Sequence, residues 1–158
     1  MSRNHPEVAP VGSALVEPTR EARLLSALYI AQEQYGYLTP EAIERTALRL
    51  GLEPGEVYGT ASFYTLFRMQ PVGRYVIQVC DGLSCYLVGG ADTVAEYIGA
   101  KLDVAPGETT PDGVFTLEKV QCLASCGTAP AMRINDQLYE NLTAAIIDAV
   151  LERLMGEV

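Results

Sequence analysis

The chain has 158 residues, of which 49% are apolar and 20% charged, and its formal net charge is −9. This length fits one domain or two small ones. With 11 Lys and Arg against 20 Asp and Glu, the chain is unsuited to nucleic acid and to anionic membrane surfaces, because both are bound through basic residues. No apolar run approaches the roughly 18 residues of a membrane-spanning helix, so we expect no direct membrane insertion.

The first 18 residues predict a flexible tail, because prolines and a glycine interrupt them and they show no apolar periodicity. They contain no basic segment followed by an apolar core, so we expect no signal peptide. The cysteines should therefore stay reduced and serve as ligands or redox groups rather than form structural disulfides.

Residues 19–70 predict a small bundle of short amphipathic helices, because apolar residues recur at three- and four-residue steps between capping and turn residues. The helical segments are expected over Thr19–Gln34, from the cap Thr39 to Gly51, over Pro54–Tyr58 and over Thr60–Phe67. Gly59 predicts a break between the last two segments.

Residues 71–158 predict a small sheet flanked by helices, of the α+β or α/β class. The expected strands are Tyr75–Val79, Val114–Val120, Ala131–Ile134 and Gln137–Tyr139, and the expected helices are Gly90–Ile98 and Thr143–Met155. Since a crossover helix separates the first two strands, they should be parallel neighbours.

All four cysteines lie in two close pairs, Cys80 with Cys85 and Cys122 with Cys126. The spacing is C-x4-C, then 36 residues, then C-x3-C, and each pair follows a predicted strand. Four thiolates complete a [2Fe-2S] cluster. We therefore predict one such cluster, with these four cysteines as its cofactor-binding and metal-binding residues. Small residues inside the two loops, such as Gly82 and Ala124, should let backbone N–H groups reach the sulfurs.

Two other uses of the cysteines stay open. A structural zinc ion also takes four thiolates, which would make the protein a zinc-stabilised interaction module, although zinc knuckles usually have C-x2-C spacing. A thioredoxin-like disulfide enzyme would usually carry C-x-x-C, which is absent here. A Rieske centre needs two histidines, and the single histidine of this chain is His5.

No catalytic residue is predicted. The chain has no histidine near a cysteine, serine or acid after the first 18 residues, and no glycine-rich phosphate-binding motif. A chain with one redox centre and no substrate motif is expected to be an electron carrier or one subunit of a larger oxidoreductase.

Five segments give the chain a resemblance to a known family. They read YGYLTPE from Tyr35, VYGTASFY from Val57, VCDGLSC from Val79, PGETTPDG from Pro106 and VQCLASCGTAP from Val120. Together they resemble the 24-kDa-type subunit of respiratory complex I, the NADH:quinone oxidoreductase, in the thioredoxin-like [2Fe-2S] ferredoxin family. The resemblance covers Leu24 to the C-terminus.

The resemblance implies a helical bundle followed by a thioredoxin-like domain, with the same four cysteines as cluster ligands. It implies a partner, the 51-kDa-type NADH-binding flavoprotein subunit with FMN and a [4Fe-4S] cluster. Through that subunit, the chain would join the peripheral arm of complex I on the cytoplasmic side of the inner membrane. Its implied role in this NADH dehydrogenase is one-electron exchange with the FMN. Diaphorase subunits of NAD-reducing hydrogenases and NAD-dependent formate dehydrogenases share the cysteine pattern, so that alternative stays open.

Overall fold

The computed structural model describes residues 19–157. The flexible tail predicted over residues 1–18, with His5, lies outside this range. The described chain divides into two compact units, one ending at Phe67 and the other beginning at Arg68. Within the described range, no helix is long and apolar enough to cross a membrane.

The first unit is built from helices, as the sequence predicts. Over residues 19–67 these are α1 (Arg20–Tyr35), α2 (Pro40–Leu50) and α3 (Pro54–Phe63). The hydroxyl of Thr39 accepts a hydrogen bond from the Ala42 N–H at 3.0 Å, which satisfies a donor that the start of α2 would otherwise leave unpaired. The buried apolar side chains of this unit include Leu28, Leu38, Ile43, Ala47 and Val57.

Helix α3 continues through Gly59, so the predicted break at this residue is wrong. A reciprocal capping box between Glu53 and Glu56 fixes the start of the helix. Val57 and Ala61, on either side of Gly59, are fully buried. Burying a valine side chain contributes about 1.5–3 kcal/mol, which outweighs the roughly 1 kcal/mol that a glycine costs inside a helix.

The second unit is organised around a mixed sheet. Within residues 68–157 its strands are β1 (Tyr75–Cys80), β2 (Phe115–Val120), β3 (Met132–Ile134) and β4 (Gln137–Tyr139). Their order is β2-β1-β3-β4; β1 and β2 are parallel, and the other neighbours are antiparallel. The predicted parallel pair is therefore confirmed, and β1 lies inside the sheet with every residue buried.

Three helices belong to this unit: α4 (Leu83–Leu87), α5 (Gly90–Leu102) and α6 (Ala144–Gly156). Apolar residues of α5 and α6 share one core cluster with alternate residues of β1, so both helices cover the same face of the sheet. A hydrogen bond from the Tyr97 hydroxyl to the Asp148 carboxylate at 2.9 Å joins α5 to α6. Because β1 and β2 are parallel, their carboxyl ends lie side by side at one end of the sheet.

Candidate metal centre

The two cysteine pairs meet at the carboxyl ends of the parallel strands. Cys80 is the last residue of β1 and lies opposite Val120, the last residue of β2. A Cβ atom built on Gly82 would lie 3.4 Å from the Cys80 Sγ and 3.6 Å from the Cys122 Sγ. The two loops are therefore in contact through their cysteines, and Gly82 lies where a side chain would crowd both sulfurs.

Helix α4 carries Cys85 and is not predicted by the sequence. Its five residues, Leu83–Leu87, are too few to show a helical period. The thiol of Cys85 is buried, and the thiols of Cys85 and Cys122 both lie close enough to Cys80 to lower its pKa. Cys126 lies close enough to Cys85 to influence its ionisation. All four are free cysteines, so the structure brings the four predicted site residues together as thiols.

The pKa values of the two buried cysteines move in opposite directions. Burial by itself would raise the pKa of Cys80, but hydrogen bonds from the N–H groups of Gly82 and Leu123 and from two neighbouring thiols bring it below its ordinary value. Burial raises the pKa of Cys85, and its hydrogen bond to Cys80 raises it further, against a smaller opposing effect of the Ala131 N–H. Of the two buried cysteines, Cys80 is therefore the one that ionises more readily, and thiolates are the metal-binding form of cysteine.

Backbone N–H groups point at three of the four sulfurs. The Ala124 N–H donates to the Cys122 Sγ at 3.3 Å, and Ala124 has a left-handed backbone with φ of 60°. The N–H groups of Gly82 and Leu123 lower the pKa of Cys80, and the N–H group of Ala131 acts in the same direction on Cys85. Hydrogen bonds of this kind stabilise the negative charge of a thiolate–sulfide cluster. The donor set therefore fits a [2Fe-2S] group, although no three His, Cys, Asp or Glu side chains of residues 19–157 are grouped to hold a single metal ion.

The acid nearest to a cysteine in sequence is paired with a lysine. Asp81 follows Cys80, and its Oδ2 lies 3.3 Å from the Lys119 Nζ. The Lys119 Nζ also lies 2.7 Å from the Asp92 Oδ1. The hydrogen bond to Asp92, and to a smaller extent the one to Asp81, raises the pKa of Lys119. The lysine thus stays protonated and offsets the charge of Asp81 beside the first cysteine pair.

One side of the site is open to solvent. Cys80 and Cys85 are buried, whereas Cys122 and Cys126 are exposed. The apolar side chains around Cys85 are also exposed: Leu83 74%, Tyr86 62%, Leu87 73% and Val88 58%. Exposed apolar residues that are contiguous mark interaction surfaces. We call these four side chains the α4 patch.

A mixed sheet that presents two cysteine-bearing loops at the carboxyl ends of its parallel strands defines a thioredoxin-like protein with a candidate metal centre. The family model described as thioredoxin-like [2Fe-2S] ferredoxin matches residues 14–155. The chain belongs to this family, as the resemblance in its motifs predicts.

Similar proteins are subunits of two kinds of oxidoreductase complex. The chain is 44% identical to the E 2 subunit of NADH-quinone oxidoreductase from Rhizobium meliloti, over 85% of this chain and 80% of the relative. It is 43% identical to NADH-quinone oxidoreductase subunit 2 of Thermus thermophilus, over 85% of this chain and 75% of that one. It is also 36% identical to the NADP-reducing hydrogenase subunit HndA of Solidesulfovibrio fructosivorans, over 85% of this chain and 78% of the relative.

A solved structure shares the fold. The crystal structure of an air-oxidised NAD+-reducing [NiFe]-hydrogenase matches with a TM-score of 0.76 and 30% identity, over 85% of this chain and 23% of the hydrogenase chain. The predicted thioredoxin-like fold is therefore confirmed.

Proposed function

We propose that this chain is the electron-transfer subunit of an NADH-quinone oxidoreductase, and that Cys80, Cys85, Cys122 and Cys126 hold a [2Fe-2S] cluster. The observation that carries the proposal is the convergence of four reduced cysteines on one edge of the sheet, with backbone N–H groups directed at their sulfurs. A cluster of this kind supplies one-electron transfer. The names of the relatives in Rhizobium meliloti and Thermus thermophilus support the assignment to that complex.

Several elements of the second unit would each contribute one ligand to the cluster. The ends of β1 and β2 place Cys80 and Cys122 beside each other, α4 supplies Cys85, and the 3₁₀ turn Cys126–Thr128 supplies the fourth thiol. Donors on Gly82, Leu123, Ala124 and Ala131 compensate the negative charge. No side chain of this site is assigned a catalytic role, because the chain presents a redox site and no substrate-binding motif.

The partner in this proposal is the NADH-binding flavoprotein subunit, the 51-kDa type, which would carry FMN and a [4Fe-4S] cluster. Electron exchange requires the two redox groups to be close, so the open side of the site should face the partner. The exposure of Cys122 and Cys126 and the α4 patch support this orientation. Through the flavoprotein, the chain would lie peripherally on the cytoplasmic side of the inner membrane.

Metal analysis tests the assignment of the site. The full chain would be purified without oxygen and analysed for iron, acid-labile sulfide and zinc. We expect about two irons and two sulfides per chain, as four thiolates hold in a [2Fe-2S] centre. One zinc without sulfide would refute the proposal in favour of a zinc-stabilised interaction module. Metal-free protein that turns over a disulfide substrate would favour a thioredoxin-like disulfide enzyme.

A matched pair of variants tests the docking side. Leu87→Asp places a charge in the α4 patch, and Met155→Asp places one on α6, where Met155 is 48% exposed. The end of α6 lies by Tyr75, at the other end of β1 from Cys80, because the Tyr75 hydroxyl donates to Glu157 at 3.1 Å. We expect Leu87→Asp to reduce copurification with the flavoprotein while Met155→Asp does not. Equal copurification of both variants would contradict the proposed orientation.

A second candidate function rests on the hydrogenase subunit at 36% identity and on the [NiFe]-hydrogenase structure. In it the chain would be the diaphorase subunit of an NAD(P)-linked hydrogenase, or of a formate dehydrogenase, with the same site facing a flavoprotein. Purification of the assembled complex separates the two. Nickel or molybdenum in the complex would favour this candidate, and quinone reduction by a complex without either metal would favour NADH-quinone oxidoreductase.

A further inference from the structure

Glu140 lies at the junction between the sheet and the second cysteine loop. It follows β4 directly, and two residues later Leu142 is buried in the core of the second unit. The Leu142 N–H donates to the Pro130 carbonyl at 3.0 Å, and the Asn141 N–H donates to the Thr128 carbonyl at 2.7 Å. The segment 140–142 is therefore fixed on one side by the core and bonded on the other to the end of the cysteine loop.

The Glu140 carboxylate contacts two residues that flank Cys126 and Gly127, one before them and one after them. Its Oε1 accepts hydrogen bonds from the hydroxyls of Ser125 and Thr128. These two hydroxyls are themselves 2.7 Å apart, and Ser125 is 9% exposed. Hydrogen bonds to a charged acceptor are roughly twice as strong as those between neutral groups. One carboxylate thus closes the short turn that begins with Cys126.

Cys126 depends on local support more than the two buried cysteines do. Cys80 is held by β1 and Cys85 by α4, and both are buried. Cys126 is exposed and begins a three-residue 3₁₀ turn. Its backbone position therefore depends on what fixes the residues before and after it.

We propose that Glu140 is the positioning residue for Cys126, and that it sets how tightly the second cysteine pair holds the cluster. This inference rests on the proposed function, since it takes Cys126 as a ligand. Glu140 does not touch the sulfur; it acts through the hydroxyls of Ser125 and Thr128. Removing the partners that orient a metal ligand typically lowers metal affinity about 10–100-fold, so the expected effect is of that size.

Variants of Glu140 separate its hydrogen bonds from its charge. Glu140→Ala removes the acceptor, whereas Glu140→Gln keeps an amide oxygen that can accept from both hydroxyls. Asp136→Ala is the matched control, because Asp136 lies in the turn before β4, is exposed, and forms no side-chain hydrogen bond or ion pair within residues 19–157. In each case the full chain would be purified without oxygen and challenged with an iron chelator.

The measured quantities are the rate of iron release and the visible circular dichroism of the bound cluster. We expect Glu140→Ala to release iron about 10–100-fold faster than the wild type and to alter the dichroism. Asp136→Ala should resemble the wild type, and Glu140→Gln, which keeps an acceptor but loses the charge, should release iron more slowly than Glu140→Ala. Equal release from Glu140→Ala and the wild type would overturn the proposal, and so would equally fast release from Glu140→Ala and Glu140→Gln, because charge rather than hydrogen bonding would then be responsible.

A second route guards against a Glu140→Ala variant that does not fold. Ser125→Ala combined with Thr128→Val removes the two donors and leaves the carboxylate. We expect this double variant to release iron as fast as Glu140→Ala, and the triple variant to be no faster, because all act through the same contact. Additive effects would overturn the proposal. A wild-type chain without iron and sulfide would instead refute the proposed function, which is a separate outcome.

Discussion

Gly90 lies where the two cysteine loops pack against each other. It is the first residue of α5, and a Cβ atom at this position would lie 2.5 Å from the Cβ and 2.7 Å from the Cγ of Pro130. The Cys85 carbonyl oxygen would be 3.1 Å away. Carbon atoms in contact normally stay about 3.5–4.0 Å apart, so an alanine requires Pro130 and the second loop to move by about 1 Å.

The expected effect of Gly90→Ala follows from this clash. Forcing one extra methyl group into a packed site costs typically about 1–3 kcal/mol. For a unit of this size, each kcal/mol lowers the Tm by about 4–8 °C. The displaced loop also contains Cys126 and the Ala131 N–H that is directed at Cys85, so the variant should lose iron faster as well as melt earlier.

The assay is a thermal melt of the full chain followed by near-UV and visible signals, with iron and sulfide measured after purification. Gly89→Ala is the control variant at the adjacent position. A Cβ atom built on Gly89 would have no other atom within 4 Å, but the residue has a φ of 69°. Its alanine variant should be destabilised by about 1–2 kcal/mol of backbone strain without loss of iron. If Gly90→Ala melted with the wild type and kept its iron, the close packing of α5 on the second loop would be wrong.

Three further predictions concern the rest of the chain. Gly59→Ala should stabilise α3 by about 0.5–1 kcal/mol, because a Cβ there has no atom within 4 Å; denaturant unfolding would measure the gain, and a loss would mean that α3 does not run through this residue. We propose that residues 19–70 and 71–158 are separate domains. Cys122→Ser should therefore lose iron while the far-UV circular dichroism of the helical domain, residues 19–70, persists. Collapse of that helical signal together with the loss of iron would contradict the two-domain proposal. Hydrogen bonds from Lys101 first, and then from Tyr97, lower the pKa of Asp148 in the folded protein. The ionised carboxylate therefore stabilises the fold fully above the unfolded pKa of about 3.9, and this stabilisation is lost as the pH falls through the lower folded pKa. Asp148→Asn should therefore melt earlier than the wild type at pH 7, with a difference that shrinks in acid; a constant difference would refute the role of ionisation.

The sequence predicts the sheet elements well because their signals are local. The run of β-branched residues before Cys80 gives β1, and Asn135, which adopts a φ of 51°, marks the turn between β3 and β4. Two other local signals mislead or fail. Gly59 signals a break that the buried neighbours Val57 and Ala61 override. Helix α4 is too short to show any period, although Gly82 before it provides its N-cap.

Contacts between distant residues lie beyond any motif. Glu140 is 15 residues from Ser125, and Lys119 lies far along the chain from Asp81, yet each pair meets at the site. Such contacts arise because β1, β2 and β3 are neighbours in the sheet, which places their flanking loops together. Cysteine spacing can indicate the donor set, but only the strand order identifies the residues that surround it.

The site is asymmetric, and the asymmetry favours one direction of approach by a partner. The fold encloses Cys80 and Cys85, places N–H groups of Gly82, Leu123 and Ala131 near them, and pairs Asp81 with Lys119. It leaves Cys122 and Cys126 exposed. An electron donor should therefore approach the exposed pair, where the least protein separates it from the sulfurs. Since the α4 patch is exposed and adjoins Cys85 in sequence, a partner that covers it would also exclude water from the surroundings of Cys85 and so change the environment of the proposed cluster on assembly.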